Sequence, residues 1–331
     1  MKLTKYYKVA GHTFAVCLPK DSSLWRGMAP YSGFEVDAAP GATGSNNKTT
    51  TGSSESTGGK ASGNTSPMEV IFSLELAGWP GGGEALPCLP ELETVYDAPT
   101  EDGETVIKLY SSRDGSIKMV GMARDHRCPI CAKLLCDKEF KTGRLYLCSK
   151  SLNDANFAVS NSAMLLYAFT TASLNTLEMH ASVILNSGKA FLFLGKSGTG
   201  KSTHSSLWLR HIEGSELMND DNPIVKILPD GKVMAYGSPW SGKTPCYKNI
   251  EAPVGAFVQI KQYPENEIRK MSLLEAYATL YSSASGFKAD KAMADGLHDS
   301  MEKVVTGIPF YELSCRPDEE AATLCHSTIC K

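Results

Sequence analysis

The spacing of hydrophobic residues changes near the middle of the chain. In the N-terminal part they come in short runs that predict strands at Tyr6–Ala10, His12–Leu18 and Met68–Leu76. From Ser160 to Ala172 apolar residues recur every three or four positions behind the candidate caps Ser160 and Asn161, which predicts a helix. The chain therefore changes from β-rich to mixed character near residue 155.

Strands and helices alternate in the C-terminal part. Strands are predicted at Met179–Leu185 and Ala190–Leu194, joined by the turn Asn186–Lys189. Further elements are expected as a helix at about 201 to 212, strands near 223 to 228, 233 to 236 and 254 to 260, and helices at about 271 to 281 and 287 to 305. This alternation favours an α/β domain over residues 155–331.

Residues 41–66 contain no Leu, Ile, Val, Met or aromatic residue. Burial there cannot offset the entropy of ordering the chain, so a flexible, disordered loop is expected. The predicted organisation is a β-rich region of unknown role at 1–150 that carries this loop, followed by the α/β domain.

Composition narrows the function classes. The 331 residues are 42% hydrophobic, and 33 basic against 36 acidic residues give a net charge of −3. This balance does not favour nucleic acid or an anionic membrane as a partner. Lysines interrupt the first eight residues, and no run approaches the ~20 apolar residues of a membrane span, so a cytoplasmic location is expected.

One motif carries recognisable chemistry. The apolar run Phe191–Leu194 leads into Gly195–Ser202, which fits the phosphate-loop pattern G-x-x-x-x-G-K-[ST] between a strand and a helix. Its glycines let backbone N–H groups face phosphate oxygens, while the helix N-terminus attracts the same anion. The predicted nucleotide-binding residues are Gly195, Lys196, Ser197, Gly198, Thr199, Gly200, Lys201, Ser202 and Thr203.

Within this motif, two side chains have separate roles. Lys201 supplies a positive charge for the β- and γ-phosphates, and the Ser202 hydroxyl is a ligand for Mg²⁺. ATP and Mg²⁺ are therefore the expected cofactors.

A second match to the pattern, at Gly237–Thr244, is not expected to bind ATP. Pro239 removes one backbone N–H, and Pro245 leaves little room for a helix. Trp240 and Lys243 remain candidates for facing a substrate. The candidate cations for stabilising transition-state charge are Lys196, Arg210 and Lys243.

Two adjacent carboxylates follow the phosphate loop at a distance that fits one helix, one turn and a short strand. Asp220 and Asp221 follow the predicted short strand Glu216–Met218 and Asn219. The strand would return them to the phosphates, where they could hold or orient the metal. The alternative is a solvated turn beside Pro223.

Together with His180, these residues resemble a known family. His180, the loop Gly195–Ser202 and the pair Asp220 and Asp221 look like the catalytic half of HPr kinase/phosphorylase, and the loop and aspartates also resemble ATP-dependent phosphoenolpyruvate carboxykinase. The resemblance covers roughly residues 175 to 260. It implies a phosphoenolpyruvate carboxykinase/HPr kinase-like α/β nucleotide-binding domain following the β-rich region.

The resemblance also implies roles for single residues. Asp220 would be the general base for an acceptor hydroxyl, and Asp221 would help Ser202 to hold Mg²⁺. Lys201 would grip phosphate, and His180 would lie near the transferring phosphoryl group, with a satisfied strand histidine as the alternative. These catalytic roles fall to Asp220, Lys201 and His180.

The resulting hypothesis is an ATP-dependent kinase that phosphorylates a protein serine or a small metabolite. The glycine- and arginine-rich signature that follows the aspartates in HPr kinase has no counterpart here, so the acceptor stays open. A nucleotide-binding sensor or assembly module without turnover is the alternative, and a carboxykinase-type enzyme is less favoured. A homo-oligomer is also left open.

Most of the ten cysteines are expected to be reduced thiols. Cys128 and Cys131 look like one zinc knuckle, with His126, Cys136 and Cys148 nearby. A structural zinc normally needs a second closely spaced pair, so ordinary strand cysteines are favoured over a zinc site.

Overall fold

A computed structural model describes residues 1–37, 69–99, 106–242 and 244–330. The predicted disordered loop at 41–66 lies outside the described residues. Within them the fold is mixed α/β, with two mixed β-sheets and helices packed against them.

The described N-terminal residues form one sheet with strand order β3-β1-β2-β4-β10-β9-β8-β7-β6, and β5 pairs with β4. Its strands are β1 (Lys2–Val9), β2 (His12–Pro19), β3 (Glu35–Val36), β4 (Val70–Trp79), β5 (Gly82–Gly83), β6 (Leu92–Pro99), β7 (Val106–Ser112), β8 (Ile117–Ala123), β9 (Ala132–Asp137) and β10 (Thr142–Leu147). The three strands predicted here are present, and the strands after β4 complete the β-rich region.

The first hairpin illustrates why these residues form strands. Ala10 and Gly11 connect β1 to β2 with φ angles of +47° and +82°. Two positive φ angles are typical of a tight turn whose twist matches that of antiparallel strands. Between β2 and β3 lie the short helix α1 (Leu24–Gly27) and a 3₁₀ helix (Ala29–Phe34).

The C-terminal sheet has the order β11-β15-β16-β17-β13-β12-β14, and β19 pairs with both β17 and β18. Its strands are β11 (Thr176–Glu178), β12 (Ala181–Asn186), β13 (Lys189–Leu194), β14 (Glu216–Asp221), β15 (Ile224–Ile227), β16 (Val233–Tyr236), β17 (Glu251–Gln262), β18 (Glu267–Lys270) and β19 (Phe310–Cys315). The strand predicted at Met179–Leu185 is divided, because Met179 and His180 lie between β11 and β12.

Five longer helices complete the described fold: α2 (Leu152–Thr171), α3 (Lys201–His211), α4 (Leu273–Ser283), α5 (Lys291–Gly307) and α6 (Glu319–Ile329). The predicted start of α2 at Ser160 is wrong. The Ser151 hydroxyl caps the helix by accepting a hydrogen bond from the Asp154 N–H. Asn161 lies inside the helix, where its side-chain amide donates to the Phe157 carbonyl. None of the described helices combines the length and apolar character that a membrane crossing requires.

The main apolar core includes residues from both sheets and from α2. Trp240, from the connection between β16 and β17, packs against Phe14 and Tyr167 with ring centroids 6.2 and 5.2 Å away. The N-terminal and C-terminal parts thus share buried side chains, and a domain boundary near residue 150 stays a prediction. A second cluster packs α3 and α6 against the C-terminal sheet, with Trp208 and Ile212 in the core as expected.

Candidate functional site

Three segments of the C-terminal sheet end or begin at one edge. Antiparallel β12 lies between β13 and β14, and Ala181 at its start pairs with Leu194 on one side and with Asp221 on the other. The loop after β13, His180 before β12 and the carboxylates at the end of β14 therefore meet at this edge. The topology explains why residues distant in sequence converge.

The predicted phosphate loop joins β13 to α3. Gly195 has a φ of +143°, and a Cβ atom there would lie 2.6 Å from the Thr199 hydroxyl oxygen. Gly198 and Gly200 have φ angles of +82° and +105°. These positive φ angles explain the glycines, since other residues rarely adopt them.

Helix α3 begins at Lys201, directly after Gly200, whose lack of a side chain leaves this N-cap without a side-chain hydrogen bond. Its first turn therefore presents backbone N–H groups and the positive end of the helix dipole beside the loop. Ser202 and Thr203 are exposed at this position. The arrangement suits a bound phosphate group.

Lys201 is only 8% exposed, and its ammonium group lies inside the loop. The Nζ atom donates to the Gly195 carbonyl oxygen at 2.7 Å and lies 3.3 Å from the Lys196 carbonyl oxygen. It also lies 2.9 Å from Nε2 of His180. The loop thus encloses a positive charge near the end of β13.

The contacts of His180 define its tautomer. An ammonium group can only donate, so Nε2 of His180 accepts the hydrogen bond from Lys201. The other ring nitrogen, Nδ1, therefore carries the ring proton, and it lies 3.0 Å from Oδ1 of Asp221. His180 therefore connects Lys201 to Asp221.

The second carboxylate contacts the metal-ligand candidate of the loop. The Ser202 hydroxyl donates to Oδ1 of Asp220 at 3.0 Å. Asp220 is 3% exposed, whereas Asp221 and His180 are half-buried. Asp220 and Asp221 therefore lie at the end of β14 beside the phosphate loop. This placement differs from the alternative, in which the two carboxylates form a solvated turn.

The donor set fits Mg²⁺ bound together with a nucleotide. Mg²⁺ usually takes one or two carboxylates, with waters and phosphate oxygens completing its shell. Ser202, Asp220 and Asp221 offer one hydroxyl and two carboxylates at the loop. No group of three or more His, Cys, Asp or Glu side chains suited to a metal occurs in the described part of the chain.

The three candidate cations lie in different places. Lys196 is exposed on the phosphate loop. Arg210 lies in the last turn of α3, about 12 Å along the helix from Ser202 at about 1.5 Å per residue, so it is remote from the loop. Lys243 lies outside the described residues.

The second motif match, Gly237–Thr244, does not lead directly into a helix: the next described element is strand β17, which begins at Glu251. Trp240 is 3% exposed and donates from Nε1 to the Tyr31 hydroxyl at 2.8 Å. The suggestion that Trp240 faces a substrate is therefore wrong, because its ring belongs to the core.

Glu178 is a buried carboxyl group near the site that the sequence analysis did not identify. It is 1% exposed, and neither side-chain oxygen has a hydrogen-bond partner within normal geometry, although Ser285 lies nearby. Burial raises the pKa of Glu178 to about 7, while His180 nearby lowers it and Asp221 raises it. Its only sequence signal was an acidic residue in an apolar strand.

Gln262 was also missed. It lies at the end of β17, and its side-chain amide donates to the Gly198 carbonyl oxygen at 3.1 Å. The parallel pairing of β17 with β13 brings it to the phosphate loop. The contact between Gln262 and the phosphate loop depends on the order of strands in the sheet, so no local sequence pattern predicts it.

The cysteines do not gather into a metal site among the described residues. Cys131 and Cys136 are buried, whereas Cys128 and Cys148 are exposed. Burial raises the pKa of the Cys136 thiol well above its usual range. Among these four cysteines, Cys136 lies within strand β9, and the preference for ordinary strand cysteines over zinc stays a prediction.

Comparisons with known proteins add little. No protein-family model matches the chain. No curated protein matches it either. Among solved structures it is similar to the Hpr(Ser) kinase/phosphatase from Coxiella burnetii, with 12% identity over 45% of this chain and 91% of that chain and a TM-score of 0.27. That likeness is too weak to show a shared fold.

Proposed function

We propose that the chain is an ATP-dependent kinase that transfers the γ-phosphoryl group to a hydroxyl acceptor. The observation that carries the proposal is the convergence, at one sheet edge, of a phosphate loop, a histidine and two carboxylates. Lys201 contacts His180, His180 contacts Asp221, and Ser202 contacts Asp220, and these contacts join the parts. Each part matches a need of phosphoryl transfer: anion binding, metal binding and proton removal.

Nucleotide binding is assigned to residues 195–203. The loop amides, the N-terminus of α3 and the Lys201 ammonium would hold the β- and γ-phosphates. Bound Mg²⁺ would neutralise charge on these phosphates, with Ser202 and an aspartate as protein ligands. The carboxylate that is not occupied by the metal would accept the proton of the acceptor hydroxyl.

Two assignments of the aspartates compete. The family resemblance makes Asp220 the base and Asp221 the metal ligand. The contact between Ser202 and Asp220 favours the reverse, because two ligands of one metal ion must lie close together. In that case Asp221, whose Oδ1 lies 3.0 Å from Nδ1 of His180, would be the base.

Variants Asp220→Asn and Asp221→Asn separate these assignments. Loss of the base should lower turnover by at least ~10²-fold while Mg²⁺ still increases ATP affinity. Loss of the metal ligand should remove this effect of Mg²⁺ on affinity. Calorimetric titration of each variant with ATP, with and without Mg²⁺, identifies which aspartate does which.

The first test of the function is ATP binding itself. The purified chain should bind MgATP saturably in calorimetry, and Lys201→Ala should abolish the binding. Lys189→Ala is the matched control, since Lys189 is exposed at the opposite end of β13. Absence of ATP binding by the wild-type chain would end the proposal.

A nucleotide-binding sensor without turnover is the second candidate. The observation that favours it is the contact of Trp240 with Phe14 and Tyr31, because these contacts could transmit a change at the nucleotide site to the N-terminal region. Labelled ATP offered with a panel of peptides and hydroxyl metabolites distinguishes the two. A phosphorylated product supports the kinase, whereas ATP binding without product across the panel supports the sensor.

A further inference from the structure

The acidic turn at the end of β14 has an unusual backbone. Asp221 has a φ of +117°, a conformation that residues with a side chain rarely adopt. Such a conformation persists only where surrounding contacts impose it, and it is common at functional sites. The question is which contacts impose it here.

The segment Ser238–Gly242 supplies contacts to the main chain of the turn. The Gly242 N–H donates to the Asp220 carbonyl oxygen at 2.7 Å, and the Ser241 hydroxyl donates to the same oxygen at 2.9 Å. Asp221 and Ser241 also form an antiparallel bridge. The peptide group between the two aspartates is therefore fixed from one side.

Buried side chains connect the turn to the same segment a second time. The Asn219 side-chain amide donates to the Trp240 carbonyl oxygen at 3.0 Å, and its oxygen accepts from the Asn222 N–H at 3.0 Å. The Ser238 hydroxyl donates to the Asn222 carbonyl oxygen at 2.5 Å. Asn219 and Ser238 are both fully buried, so these bonds are protected from water.

Gly242 lies against the Asp221 side chain. A Cβ atom at Gly242 would lie 3.0 Å from Cβ and Cγ of Asp221 and 3.1 Å from Oδ2. Its φ lies outside the positive region that restricts other residues. Alanine at this position would therefore be acceptable to the backbone and would act by displacing the Asp221 carboxylate.

The segment is anchored in the core through Trp240. Its Nε1 donates to the Tyr31 hydroxyl, and its ring packs against Phe14 and Tyr167. Two of these three partners belong to the N-terminal region. The acidic turn is therefore tied to residues far from the phosphate loop in sequence.

We infer that Ser238–Gly242 is a positioning segment, which holds the strained acidic turn so that both carboxylates face the phosphate loop and which links this geometry to the N-terminal region through Trp240 and Tyr31. The inference rests on the proposed kinase function for its catalytic consequence. It gives the second glycine-rich motif a role that differs from nucleotide binding.

The test compares Gly242→Ala with Gly307→Ala in the full chain. Gly307 has no atom near an added Cβ and ends α5, so it is a matched control. Gly242→Ala should lower kcat by about 10- to 100-fold, because small misplacements of catalytic groups have effects of this size. The KM for ATP and the thermal midpoint should stay within the range of the control.

A second readout does not depend on activity. Amide hydrogen exchange of the peptide covering residues 219–222 should become faster in Ser241→Ala and Gly242→Ala, and remain unchanged in Gly307→Ala. If wild-type protein shows no turnover but exchange responds in this way, the kinase proposal fails and the positioning role stands. Unchanged exchange and unchanged kcat in both variants would overturn the positioning role.

Discussion

Glu178→Gln offers a quantitative test of the electrostatics behind the site. The folded chain buries this carboxyl group without a normal hydrogen bond, and burial raises its pKa from 4.5 to about 7. Between these two pH values the folded protein keeps a proton that the unfolded chain has lost. The free energy of unfolding of the wild type therefore falls as pH rises through this window, and the penalty is fully present above pH 7.

The size of the effect follows from the shift. A raise from 4.5 to about 7 corresponds to about 3 kcal/mol at about 1.4 kcal/mol per pKa unit. Glutamine has the same shape and no charge, so the variant lacks this dependence. Its free energy of unfolding relative to the wild type should increase by about 2 to 3 kcal/mol between about pH 5 and pH 8.

Urea unfolding followed by tryptophan fluorescence at several pH values measures this difference. Desolvation also lowers the pKa of the half-buried His12 and of the buried His204 to about 4, but both titrate equally in the two proteins, so their contributions cancel. Glu267→Gln, at an exposed position in β18, should show no such trend. A wild-type-to-variant difference that is constant with pH would refute the reasoning.

The remaining predictions concern packing and the loop. Trp208→Ala should reduce the free energy of unfolding by about 3 to 5 kcal/mol in urea titrations, because Trp208 is fully buried in the cluster between α3 and the sheet; Leu209→Ala, at an exposed neighbour, should change it far less. Gly195→Ala should abolish ATP binding in calorimetry, because a Cβ atom would lie 2.6 Å from the Thr199 hydroxyl oxygen and the φ of +143° disfavours alanine. Unaltered affinity in Gly195→Ala would show that the loop does not cradle the phosphates.

Local signals in the sequence were sufficient for the strand, loop and helix around Gly195–Ser202. The glycines there have positive φ angles that few other residues adopt. The backbone conformation of the loop therefore explains the glycine spacing that makes the motif recognisable in the sequence. The N-terminal hairpin was equally readable, since apolar runs flank a turn at Gly11. In both cases neighbouring residues decide the conformation.

Other features depend on residues distant in sequence, and the sequence analysis missed or misplaced them. Ser160 resembled a helix cap, but α2 begins at Leu152, and packing against both sheets favours the longer helix. Glu178 became notable only through its burial. The contacts of Ser241 with the acidic turn arise from the return of the chain after β16, which no local pattern predicts.

The central position of β12 has a consequence for how this protein tolerates insertions. Ala181 pairs with Leu194 on one side and with Asp221 on the other. A shift of the β12 register by one residue would therefore move His180 away from both Lys201 and Asp221. An extra residue in the hairpin tip at Ser187 and Gly188 would leave that alignment untouched. An extra residue inserted within β12 would break the connection from Lys201 through His180 to Asp221. The register of this single strand therefore sets the relative positions of the reactive groups.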